Sequence, residues 1–390
     1  MNILILDIYK NTDYRISKDT SGGYGTGNDF GDTFAAIYLK KKLKKVHDWP
    51  PLFAAYTYSV LKKNNKVEYK KFIPKDIKRY DLFIIVSSIV CCEEEIETIK
   101  KIKNENKNIF AIGPFATSNP KMYADAGASV ISGEPEFYFL NNNNFDNDLK
   151  KDIVTFHNTS NIDDLPFPDW DDLVGKNKNA SNLFGGRGSV PILGTRGCPY
   201  SCFKYCVYPL QQGRKVRQRA PKKIVDEIEI WKDKGVNMFI FRDPVFSINK
   251  KHTIEFCREL VQRDLKIRFV IETHLRILDT ELIKKLKEAG LKAVKVGVES
   301  YDENVLQESG RFTVTKDEQL NKIRELERNN IQISAMYILG FPTDNDITIK
   351  KTIDYAKKLN TTYAQFSIWT PYPGTPVFKE YKDKIIADKF

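Results

Sequence analysis

The apolar runs of this chain are short, and nearly every one is followed by a stretch with helical spacing. That alternation constrains the fold strongly, because a strand buried on both faces reads as a continuous apolar run and needs helices to cover it. Leu82-Phe83-Ile84-Ile85-Val86 is such a run. Early in the chain, strands are predicted at residues 2–7, 67–72, 82–87, 108–112 and 129–132. A helix is predicted from Pro50-Pro51, where a proline in the first turn loses no hydrogen bond, with Leu52, Ala55, Tyr56 and Val60 on one face. These elements predict an α/β doubly wound, Rossmann-like parallel sheet. From Val190 a second series begins, with strands at 190–195, 237–242, 268–273, 293–298, 332–338 and 362–368. Helices are predicted between them at 221–234, 250–263, 279–289, 315–329 and 344–359, with Gly235 and Gly290 at C-cap positions. Six βα units predict a partial (β/α)6 barrel of the TIM type.

The expected organisation is a first domain at residues 1–140, a linker at 141–188, a core barrel at 189–380 and the start of a C-terminal segment at 381–390. The linker is marked by four consecutive Asn, by Asp163-Asp164-Leu165-Pro166-Phe167-Pro168 and by Gly185-Gly186-Arg187-Gly188. Gly22, Gly23, Gly25, Gly27 and Gly31 do not fit a dinucleotide fingerprint, since Asn28 stands where the third glycine would fall. That segment is expected to be a mobile loop covering a ligand.

Composition excludes several classes. With 41% hydrophobic residues the chain can bury a core, yet no run approaches the roughly 18 apolar residues of a membrane span. The opening Asn2-Ile3-Leu4-Ile5-Leu6-Asp7 is too short for a secretory signal, so a cytosolic location is expected. The net charge of +11 sits mostly on Lys in Lys- and Asn-rich stretches such as 40–45 and 100–107. These read as solvated helix faces, and nucleic acid is not expected as a partner.

Of the six cysteines, Cys91 and Cys92 are adjacent, Cys257 is alone, and Cys198, Cys202 and Cys206 form a cluster. In a cytosolic chain such a cluster points to a metal site. It lies in Gly194-Thr195-Arg196-Gly197-Cys198-Pro199-Tyr200-Ser201-Cys202-Phe203-Lys204-Tyr205-Cys206, directly after the first barrel strand. Active sites of such folds gather at the C-terminal ends of strands. Three thiolates can bind three irons of a 4Fe–4S cubane and leave the fourth open. Zinc is the competing ligand, but no fourth Cys or His lies close by in the sequence. The later strands also end in polar residues or glycine: Arg242-Asp243, Glu272-Thr273-His274-Leu275-Arg276, Gly297-Val298-Glu299-Ser300 and Gly340-Phe341-Pro342. His274 reads either as an acid–base group or as a structural histidine, and Arg276 either as an anion binder or as a partner of Glu272.

Together these strings resemble the radical S-adenosylmethionine (SAM) superfamily, in particular the subgroup with an N-terminal cobalamin-binding domain. The family's usual spacing is C-x3-C-x2-C; this chain reads C-x3-C-x3-C, with Lys204 as an apparent insertion. The resemblance implies that Cys198, Cys202 and Cys206 hold a 4Fe–4S cluster whose open iron binds SAM, and that one electron then yields a 5′-deoxyadenosyl radical. It implies that Tyr205 places the SAM adenine, that Glu299 accepts the ribose hydroxyls and that Asp243 receives the methionine ammonium. The residue-level alternatives are a strand-capping acid for Asp243 and a structural ion pair for Glu299. In the first domain, Ser87, Ser88, Gly113, Pro114, Gly133 and Glu134 stand at strand ends where small residues would admit a cobalamin. The D-x-H-x-x-G motif is absent, so no histidine ligand to cobalt is expected, and Cys91 and Cys92 read as packing residues.

The implied activity is cobalamin-dependent methylation of an unactivated carbon in a small-molecule, lipid or natural-product substrate, with flavodoxin or ferredoxin as electron donor. The alternatives are a radical cyclisation or rearrangement, RNA methylthio transfer (for which the N-terminal half lacks a second cysteine triad), and a non-catalytic protein whose cluster loop Lys204 has spoiled.

Overall fold

The computed structural model of the protein describes residues 1–44, 46, 49–157, 160–175 and 188–386. The chain divides near residue 180 into two compact units.

In the first unit, β1 (Asn2–Leu6), β2 (Lys66–Lys70), β3 (Leu82–Val86), β4 (Asn108–Ile112), β5 (Ser129–Ser132) and β6 (Ile153–Thr155) form one sheet in the order β2-β1-β3-β4-β5-β6. Every pairing is parallel. The order reverses at β1, so the C-terminal ends of β1 and β3 flank the switch point of a doubly wound sheet. All of β3, and Ile3 to Leu6 of β1, are fully buried, as the continuous apolar runs require. The main helices are α1 (Phe34–Leu43), α2 (Leu52–Leu61) and α3 (Cys92–Lys103). The acids of α3 fill its first turn and its lysines the last, matching the helix dipole.

Strand β6 falls inside the expected linker. Only Val154 of its three residues is buried, which is too little apolar sequence to announce a strand. The expected linker glycines Gly185 and Gly186, with Arg187, lie outside the described residues, as do Lys45 of the basic run and residues 387–390 of the expected C-terminal segment.

The first part of the glycine-rich segment, expected to be a mobile loop, is packed, while Gly27 and Gly31 are exposed. Ile16–Ser17 pairs antiparallel with Thr26–Gly27, and Lys18 and Tyr24 are fully buried. Lys18 Nζ lies 2.7 Å from Glu95 Oε1 and 3.2 Å from Asp7 Oδ1, and donates to the carbonyl of Val86 at 3.2 Å. Burial works against the ammonium charge, but Glu95 and Asp7 outweigh it and hold Lys18 above its ordinary range. Glu95 also accepts from the Tyr123 hydroxyl (2.6 Å) and from the Ser88 hydroxyl and N–H (2.8 and 3.1 Å), while the Tyr69 hydroxyl donates to Asp7.

In the second unit, β7 (Ser189–Ile192), β8 (Met238–Phe241), β9 (Arg268–Thr273), β10 (Leu291–Glu299), β11 (Gln332–Leu339) and β12 (Tyr363–Ile368) follow one another in sequence order in a parallel sheet. The sheet ends at β7 and β12 and so forms an open, partial barrel. The crossovers carry α4 (Pro221–Asp233), α5 (Lys250–Gln262), α6 (Thr280–Glu288), α7 (Lys316–Arg328) and α8 (Asp346–Leu359). Asn249, Asp279, Thr315 and Asn345 cap the last four by accepting backbone N–H groups of the first turn, which is why these helices start where they do. Phe241, Phe246, Phe256 and Phe269 interlock edge to face beneath the strand ends.

Candidate active site

The cysteine loop leaves the C-terminal end of β7. Thr195–Arg196 pairs antiparallel with Arg217–Gln218 and closes the base of the loop. Cys198 N–H donates to the carbonyl of Gly213 at 3.3 Å. Ser201–Lys204 forms a 3-10 turn, which Cys206 N–H extends by donating to the carbonyl of Cys202 at 3.0 Å. Cys202 and Cys206 are thus four residues apart on one helical turn and share a face. Lys204 lies in this turn with its side chain exposed.

Cys198 and Cys202 are buried and Cys206 half-buried. Burial pushes all three thiols up, the neighbouring thiols add to this at Cys198 and Cys206, and Arg311 opposes it at Cys202. They therefore hold their protons until a metal displaces them. Among the described residues no three Cys, His, Asp or Glu converge on a single metal ion. A cubane, which takes each thiolate on a different iron, does not ask them to. Three thiols on one short loop, two buried and one half-buried, are the donor set such a cluster takes.

Beside the loop, β10 ends in strain. Glu299 has φ 63°, a left-handed conformation that a residue with a side chain adopts at a cost of about 1–3 kcal/mol, and the register with β11 slips between Gly297 and Glu299. The carboxylate meets Arg311 at 3.2 Å, and Arg311 also donates to the Gly297 carbonyl at 2.9 Å. Burial pushes the Glu299 carboxyl up, Arg311 pulls it back, and Glu272 raises it further. Tyr205 packs edge to face on Phe341 at 5.7 Å, and its enclosed hydroxyl has no hydrogen-bond partner.

Arg311 was invisible in the sequence, since a lone arginine after a loop glycine carries no spacing. Gly297 was the available signal. A Cβ there would strike both the Glu299 carboxylate and the Arg311 guanidinium, so only glycine lets the pair lie against the strand.

Asp243 is fully buried. Its Oδ1 accepts the Gly194 N–H at 2.8 Å and its Oδ2 makes no hydrogen bond. Burial pushes its carboxyl up to about 7, against the pull of the Gly194 and Thr195 groups and of Arg219. His274 Nδ1 accepts the Arg276 N–H at 3.2 Å, and its ring lies 5.7 Å from Tyr200. Burial, then Arg311 and Arg276, push its pKa down to about 3, so the imidazole is neutral at any ordinary pH. Arg276 lies over the Phe312 ring at 5.5 Å.

In the first unit the small residues at the strand ends are engaged within the unit. Ser87 Oγ accepts the Ala116 N–H at 2.9 Å, and Ser88 is tied to Glu95. A Cβ at Gly113 would meet the Phe53 ring at 2.6 Å, and one at Gly133 the Phe156 carbonyl at 2.5 Å. Pro114 and Glu134 are buried, and Gly133 is half-buried. These residues do not by themselves present a cradle for a corrin.

An open parallel barrel with a three-cysteine loop after its first strand defines the class of site. Residues 192–356 match the model of the Radical SAM superfamily, and the chain carries a radical SAM domain. An uncharacterised methyltransferase of Pyrococcus horikoshii is 26% identical over 369 residues, covering 85% of this chain and 78% of that protein. An anaerobic magnesium-protoporphyrin IX monomethyl ester cyclase of Cereibacter sphaeroides is 34% identical over 223 residues, covering 56% of this chain but only 36% of the cyclase. Among solved structures, the radical SAM methyltransferase TsrM of Kitasatospora setae, with tryptophan and a SAM analogue bound, is similar at a TM-score of 0.70. The likeness covers 98% of this chain and 76% of that one at 18% identity, and it is a likeness of fold.

Proposed function

We propose that this chain is a radical SAM methyltransferase acting on an unactivated carbon, with cobalamin as methyl carrier. The observation that carries the reading is the thiol triad beside the strained Glu299, the half-buried Arg311 and the unpartnered Tyr205 hydroxyl. Cys198, Cys202 and Cys206 would hold three irons of a 4Fe–4S cluster, which when bound would supply the open iron for SAM and the electron for its reductive cleavage. Glu299 accepts the ribose hydroxyls, held in place by Arg311, and Tyr205 orients the adenine. Asp243, enclosed and bonded to Gly194, fixes the strand end under the cluster loop as a positioning residue. His274, neutral and accepting a backbone N–H, braces the rim and does not donate a proton as imidazolium.

The cobalamin half of the proposal draws its support from the doubly wound switch point and from the likeness of fold to TsrM, which another solved structure shows with cobalamin and a 4Fe–4S cluster bound. The electron donor fits an acidic carrier of the flavodoxin or ferredoxin type. Lys204, Arg214 and Lys215 are exposed on the cluster loop and its neighbouring segment, with the Arg214 guanidinium 4.4 Å from the Phe203 ring.

The test is anaerobic reconstitution with iron, sulfide, SAM, reductant and hydroxocobalamin, followed by mass spectrometry. The expected products are 5′-deoxyadenosine and S-adenosylhomocysteine, and each of Cys198→Ala, Cys202→Ala and Cys206→Ala should abolish both. A cluster that never yields 5′-deoxyadenosine would sink the enzyme reading. 5′-Deoxyadenosine without S-adenosylhomocysteine would replace methyl transfer by cyclisation or rearrangement.

A further inference from the structure

Helix α1 is built inside out. Thr33 caps it by accepting the Ala36 N–H, so its start is well defined. Ala36 and Lys40, one turn apart, face the protein, and Lys40 is only 4% exposed. Its ammonium is gathered by Asp29 at 2.8 Å, Asp32 at 3.4 Å and Asp13 at 3.7 Å. The apolar side chains point the other way: Phe34 is 90% exposed and Tyr38 61%, with Ile37, Leu39 and the preceding Phe30 exposed as well. A surface helix ordinarily turns its apolar stripe to the core and its charges to water. Here Lys40 turns back to the acid cluster and the apolar side chains are left outward.

Phe34 and Tyr38 are one turn apart and form the outermost ridge. Lys41 and Lys42 follow in the next turn and are exposed beside it. The helix as a whole is weakly amphipathic, but on this exposed face two aromatic rings stand beside two lysines, a pairing that suits a membrane interface. The rings enter the acyl boundary and the ammonium groups reach the headgroups. Lys41 and Lys42 make no ion pair among the described residues, so their charge is available to a polyanionic surface, and the whole chain carries +11. No helix among the described residues is long and apolar enough to cross a membrane.

We propose that α1 is a peripheral docking element for an anionic lipid surface. The occupant it fits is a bilayer, since the ridge is convex and carries cations beside the rings. A substrate or product that partitions into the bilayer is the class such docking would serve. The docking does not depend on the methyltransferase reading, because none of its residues belongs to the thiol site.

Co-sedimentation of the full chain with vesicles tests it. Vesicles of phosphatidylcholine with phosphatidylglycerol should bind the protein, those of phosphatidylcholine alone should bind it much less, and salt should weaken the binding. Phe34→Ser with Tyr38→Ser, and separately Lys41→Glu with Lys42→Glu, should each lower binding at least about tenfold while leaving the thermal melt unchanged. Failure to bind either vesicle overturns the proposal, as does equal binding to both. If the wild type is instead a dimer in light scattering and Phe34→Ser with Tyr38→Ser makes it a monomer, the ridge belongs to a second copy and not to a bilayer.

Discussion

The C-terminal ends of the two sheets handle buried polar groups in opposite ways. In the first unit Lys18, Asp7, Glu95, Tyr69, Tyr123 and Ser88 are bonded to one another around a single ammonium. In the second, the Tyr205 hydroxyl and one Asp243 oxygen have no hydrogen bond, Glu299 is strained, and three thiols hold protons in low-dielectric surroundings. A closed network defines a fold, whereas an open one leaves binding energy for something that is not the protein.

The largest effect within the fold is expected at Lys18. Lys18→Met would leave Asp7 and Glu95 as buried carboxylates without their counter-ion, a change that destabilises by about 3–5 kcal/mol. Chemical denaturation of the whole chain measures it, with iron content followed in parallel. A loss below about 1 kcal/mol would mean that the glycine-rich segment opens and water solvates the acids, and the contrast between the two units would then fail.

That network also marks where the sequence was opaque. The strand runs and the helix faces were legible because burial on both faces and helical periodicity leave continuous marks, and the predicted barrel strands fall within two residues of the observed ones except at the end of the first, which stops at Ile192 and not at 195. The glycine-rich segment read as a loop, since Lys18 looks like any surface lysine until Asp7 and Glu95 are brought to it from distant positions. Likewise Glu299 could be named from its place after a strand. Arg311, its partner, could not, because the contact depends on a backbone slip that no periodicity reports.

A pair of tyrosines sharpens the contrast at intermediate size. Tyr123→Phe removes a hydroxyl that donates to Glu95 and should destabilise by about 1.5–3 kcal/mol. Tyr205→Phe removes a hydroxyl that is enclosed and unpartnered, and should stabilise the metal-free protein by about 1 kcal/mol while weakening SAM binding. Equal destabilisation by both changes would show that the Tyr205 hydroxyl already has a partner.

The smallest effect is a pH term from His274. Its folded pKa, about 3, lies below the value of about 6.5 in an unfolded chain. The unfolded state therefore binds the extra proton first. Stability from this group is complete above about pH 7 and falls as pH drops through 6.5 toward 3. At pH 6 the loss is below about 1 kcal/mol. His274→Asn, which keeps an acceptor for the Arg276 N–H, should flatten that limb of thermal melts recorded between pH 7.5 and 5.

The turn between Cys202 and Cys206 bears on how such chains are recognised. A fixed-spacing pattern treats the distance along the chain as the signature, but ligation depends only on which way each sulfur faces. On an α-type turn, such as the one the Cys206 N–H closes on the Cys202 carbonyl, positions three and four residues on both fall within about 60° of the first. A loop wound this way would gain a residue and leave the next thiol on the same side, whereas an extended loop would turn it to the opposite side. Signatures written as faces of a turn would retain sequences that signatures written as gap lengths discard.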